Sequence, residues 1–134
     1  MRGARPMAIG LFLIAAMACG EADPWVGKWR FFDAEKKGLE QREGAVIKFE
    51  RGRDGALRAV FSSPKTAEKP TWMIAEEVTE LEGSVRVVFF EPKEALTMTG
   101  NLRFTDNDTL EGSWVVKDGR TPLATMTIRL DRVR

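Results

Sequence analysis

Few residues of this chain have the chemistry for catalysis or metal binding. It contains no His, no Tyr and a single Cys, Cys19. That excludes a Ser-His-Asp or Cys-His centre, a His-based metal site and an internal disulfide. Ser62 and Ser63 have no His to activate them. The adjacent carboxylates Glu76 and Glu77 would face opposite sides of a strand and could not act together. Asp106, Asp108 and Glu111 offer the oxygens that calcium takes, but lack the glycine and spacing of a calcium loop, so they read as a solvated turn. Lys36-Lys37 and Arg51-Gly52-Arg53 read the same way, with no aromatic platform for single-stranded nucleic acid. Asn107-Asp108-Thr109 fits a glycosylation sequon, which would mean little if the source were bacterial. We therefore expect no enzymatic activity, no cofactor, no metal and no nucleic-acid partner.

The first residues read as an address. Arg2 and Arg5 precede an uncharged apolar run, Met7 to Ala18, that ends in the small-x-small pattern Ala16-Met17-Ala18. This is the three-part layout of a secretory signal peptide over 1–18. The run is shorter than the ~20 apolar residues a bilayer span needs. Of the 134 residues, removing 18 leaves 116, enough for one modest core. Losing Arg2 and Arg5 takes Lys plus Arg from 21 to 19, against 20 Asp plus Glu, for a net charge of about −1. That balance argues against an acidic polymer as partner. The segment Ala15-Ala16-Met17-Ala18-Cys19 resembles a bacterial lipoprotein processing site, with Ala16 where Leu is usual. The resemblance implies that Cys19 becomes the first mature residue and carries lipid, anchoring the chain without spanning the membrane. Gly20, rather than Asp, resembles sorting to an outer membrane. The expected location is an outer-membrane or periplasmic lipoprotein; plain secretion is the alternative.

Residues 19–24 read as a tether and 25–134 as one domain. Eight strand signals follow in the domain: Val26–Asp33, Ala45–Arg51, Leu57–Ser63, Trp72–Glu80, Val85–Glu91, Leu96–Phe104, Leu110–Val116 and Ala124–Leu130. Most show period-two alternation, which puts one face in a core and one in water. Turn chemistry separates them at Arg53-Asp54-Gly55, Glu82-Gly83-Ser84, Asp106-Asn107-Asp108 and Lys117-Asp118-Gly119. Lys36–Glu43 reads as a loop or short exposed helix, and Pro64–Pro70 as a loop. Trp72–Glu80 is ambiguous between strand and short helix, because its glutamates dilute the alternation. Long helical periods are absent after the signal helix. The expected fold is all-β: an eight-stranded antiparallel up-and-down barrel, with a two-sheet sandwich as the alternative.

The start of the domain, Trp25-Val26-Gly27-Lys28-Trp29-Arg30-Phe31, carries Gly27-x-Trp29. This resembles the first-strand motif of the calycins, the superfamily of lipocalins, fatty-acid-binding proteins and avidins. The resemblance implies a lipocalin-like barrel in which Trp29 plugs one end and an Arg of the last strand lies across it. Arg132 continues the inward phase of Ala124, Met126, Ile128 and Leu130; Arg129 would serve if a bulge shifted the phase. The 33–44 link is too short for a two-helix lid, and without Tyr a biotin site like avidin's would be incomplete.

Two binding roles follow. One is carriage of a small apolar ligand among the inward residues Phe49, Phe61, Met98, Trp114 and Met126, which otherwise simply fill the barrel. The other is a protein-binding module, an inhibitor or envelope assembly factor, using outward apolar residues such as Phe32, Val88 and Phe90.

Overall fold

The computed structural model describes residues 23–32, 44–64 and 71–134. The expected signal helix, the attachment residue Cys19 and the tether up to residue 22 lie outside the described residues. So do 33–43 and 65–70.

Nine antiparallel strands form one curled, half-barrel sheet: β1 (Gly27–Phe31), β2 (Val46–Arg51), β3 (Leu57–Ser62), β4 (Trp72–Ile74), β5 (Glu77–Leu81), β6 (Ser84–Glu91), β7 (Leu96–Asp106), β8 (Thr109–Asp118) and β9 (Thr121–Arg132). Their order is β4-β3-β2-β1-β9-β8-β7-β6-β5. A single sheet sets aside the two-sheet sandwich. The count of nine corrects the expected eight. The Trp72–Glu80 signal runs as two strands because it changes partners midway. β4 pairs with β3, and β5 pairs with β6. Consecutive amides of an extended chain point to opposite edges. Here Ala75 donates to the Ala59 carbonyl and Glu76 to the Val88 carbonyl, both at 2.8 Å. The two edge strands of the sheet are therefore consecutive in the chain.

The alternation explains the core. Ile47 and Phe49, Leu57 and Ala59, Val85, Val87 and Phe89, and Leu102, Leu110, Trp114 and Leu130 are buried on the concave face. Gly83 turns β5 into β6 with φ 74°, a left-handed conformation that glycine adopts without strain. Two expectations need correction. Met126, on the inward phase, is 44% exposed. Its strand outruns its neighbour: β1 pairs with β9 only from Trp29↔Arg132 to Phe31↔Leu130. Trp25, the first residue of the expected domain and one that could have covered outward apolar groups, is instead buried in the core.

Candidate functional site

The two ends of the curled sheet differ. The 52–55, 82–83 and 106–108 turns, the entering segment 23–26 and the end of β9 gather at one end. The turns after β6 and β8 lie at the other.

The first end is plugged. Trp29 is fully buried, and its indole N–H donates to the Trp25 carbonyl at 3.0 Å. The Trp25 ring stacks 4.3 Å from the Phe104 centroid and 5.8 Å from that of Phe49. Arg132 lies over Trp29, its guanidinium carbon 4.2 Å from the ring centroid. A cation over an indole face is attractive, the more so when water is excluded. The same guanidinium donates to the carbonyls of Pro24 (2.8 Å), Asn107 (2.9 Å) and Val26 (3.3 Å), and to Asp108 Oδ1 (3.1 Å). Gly27 enters β1 at φ 134°, and a Cβ there would stand 3.6 Å from Arg132. Arg129 points outward instead, over Phe32 at 4.5 Å, and pairs with Asp131. Trp29 and Arg132 thus meet directly, and Arg129 takes no part.

Asp108 is also held by Arg134. Hydrogen bonding to Arg134, and then to Arg132, keeps its carboxyl below the usual range. Asp106 accepts the Asp108 backbone N–H at 2.8 Å. These two carboxylates serve the turn and the arginines. Glu77 is engaged by Arg86 at 2.9 Å, and the Ser63 hydroxyl accepts the Thr71 N–H at 2.7 Å.

The other end has an aromatic floor. Phe31 meets Trp114 edge-on at 5.3 Å and 90°. Phe61 lies 5.9 Å from Phe31, 6.0 Å from Phe89 and 6.2 Å from Trp114. Such spacings suit aromatic quadrupoles. Phe89 and Trp114 are buried, while Phe31 and Phe61 are half-buried, with Met98 and Val116 beside them. Gly100 makes room for Trp114: a Cβ there would sit 2.9 Å from the indole. Among the described residues, no titratable side chain belongs to this floor. It can shelter an apolar group.

The outer face carries exposed apolar residues. Phe32 (41%) and Phe90 (38%) are joined by Ile74 (57%) and Trp72 (67%) of β4. Sequence reasoning missed Trp72 here, because the split strand hid which way it points. It also missed Arg51, taken for a solvated turn residue. Arg51 donates to Glu80 at 2.7 and 3.2 Å, to Asp23 at 2.8 Å and to the Gly55 carbonyl at 3.0 Å. Glu80, then Asp23, raise its pKa further above the usual arginine value. No short-range signal links residues so far apart in the chain.

No family model matches this sequence. No curated protein matches it either. Among solved structures, the chain is similar to the crystal structure of Treponema pallidum Tp0751 (Pallilysin), with a TM-score of 0.52 and 13% identity, over 96% of this chain and 94% of that one. At that identity the likeness is one of fold alone.

Proposed function

We propose that this chain is an exported, non-catalytic binding protein of the cell envelope, anchored by lipid on Cys19, that takes a small apolar ligand at its aromatic end. The carrying observation is the contrast between the ends. One is sealed by Trp25, Trp29 and Arg132. The other presents half-buried Phe31 and Phe61 with Met126 44% exposed on the same face. Apolar surface left wet at one end of an otherwise filled interior is what a ligand would cover. In this reading the half-barrel is a calycin-type up-and-down barrel whose fourth strand is split.

The test is the native mass of the mature protein purified gently from its own host, followed by the denatured mass. Extra mass lost on denaturation supports the carrier, and extra mass retained on Cys19 supports the anchor. Native and denatured masses both equal to the bare chain would defeat the two together.

The alternative is a protein-binding module with a filled interior. Trp72, at 67% exposure beside Ile74, favours it. Loss of a co-purifying protein on Trp72→Ser, with no ligand mass, would select it.

A further inference from the structure

We infer that the plugged end is the face presented to the membrane, so that the aromatic end opens away from the lipid. The inference rests on the lipid anchor proposed above and adds an orientation to it.

The argument is one of reach. Asp23 is fixed to the domain: its carboxylate accepts from the Trp25 N–H at 3.0 Å and from Arg51 at 2.8 Å. Four residue steps separate Cys19 from Asp23. Fully extended, they span at most about 14 Å. β8, with 10 residues, runs from the plugged end to the other. At ~3.3 Å per residue it is about 33 Å long, and a barrel-like tilt of about 40° leaves about 25 Å of height. The leash is shorter than the domain is tall. An acyl chain on Cys19 therefore holds the plugged end at the lipid surface and cannot seat the domain on its aromatic end.

The chemistry of the plugged end suits an interface. Val26 (38% exposed) and Leu81 (58% exposed) stand at its surface. Arg134, paired with Asp108 and with 72% of its side chain exposed, stands at the edge of a groove of about 760 Å³ that Val26 also lines. Apolar tips and arginines together suit the boundary between acyl chains and phosphates.

The experiment uses the acylated full chain in vesicles of phosphatidylethanolamine and phosphatidylglycerol carrying a headgroup spin label. Acylated Cys19 has no free thiol, so single cysteines take a fluorophore selectively. Glu82→Cys places it in the turn at the plugged end, and Arg120→Cys in the turn at the aromatic end. We expect quenching several-fold stronger at 82 than at 120. Equal quenching, or stronger quenching at 120, overturns the orientation while the anchor stands. An unacylated chain, seen by mass, overturns the anchor and with it the orientation.

Discussion

The Arg51 guanidinium grips both carboxylate oxygens of Glu80, at 2.7 and 3.2 Å, across a junction that no ladder of backbone hydrogen bonds closes. Arg51 ends β2, the third strand in from the β4 margin, and Glu80 belongs to the edge strand β5, so the pair spans the gap between the two margins of the curled sheet. The same arginine holds Asp23, just before the plug. Arg51 is 30% exposed and Glu80 38%, so water screens the pair in part. Arg51→Ala should cost about 1–2 kcal/mol, more than an ordinary surface pair, because three acceptors lose their donor. A double-mutant cycle with Glu80→Ala, read by urea melts, should return a coupling of about 0.5–1 kcal/mol. Additive effects would show that the two side chains do not act together.

Arg132 should matter more than its place near the end of the chain suggests. Arg132→Ala leaves the carbonyls of Pro24, Val26 and Asn107 without this donor and uncovers Trp29. We expect a loss of about 2–3 kcal/mol in thermal or urea unfolding. Arg132→Lys should recover little of it, since an ammonium cannot stack on the ring and reach several carbonyls at once. Full recovery by Lys would reduce the role to charge alone.

Gly100→Ala should be costly for a reason unrelated to turns. Its new methyl would meet the Trp114 ring at 2.9 Å and Val87 at 3.1 Å. Overpacking of this kind costs about 1–3 kcal/mol. Trp114 should also move, shifting its fluorescence. An unchanged melt and spectrum would mean that the indole has room to retreat.

Acid should loosen the plugged end. Asp108 has its folded pKa lowered by Arg134 and Arg132. A group with a depressed folded pKa stabilises fully above its unfolded pKa, about 3.9 for Asp. That contribution is lost as pH falls from there through the folded value. Asp108→Asn should therefore flatten the stability profile below about pH 4 and leave its shape near neutrality unchanged. The check is a series of urea midpoints against pH. Parallel profiles for the two proteins would assign the acid sensitivity elsewhere.

The all-β class and most strand limits were legible because alternation is local: Ile47 and Phe49, or Val85, Val87 and Phe89, declare their face within one strand. The resemblance through Gly27-x-Trp29 pointed to Arg132 because one phase rule extends along β9 to its end. What stayed hidden depends on partners distant in sequence. Nothing within residues 72–80 states that the first half belongs to β3 and the second to β6. Nothing in the alternation of β9 states that β1 stops opposite Leu130 and leaves Met126 uncovered. Arg51 resembles any turn arginine until the fold brings Glu80 to it.

The short pairing of β1 with β9 bears on how the molecule assembles. Every other ladder joins strands that are consecutive in the chain. β1 must instead find β9 about a hundred residues away, for three residue pairs. Loop closure over that distance is entropically unfavourable, and long-range pairings of this kind form slowly. Two locally paired meanders, β1 to β4 and β5 to β9, can therefore collapse first, and their docking through Trp29, Phe31, Leu130 and Arg132 comes last. Until β9 is complete, the first meander exposes the β1 edge and the Trp29 face to whatever else is in the compartment.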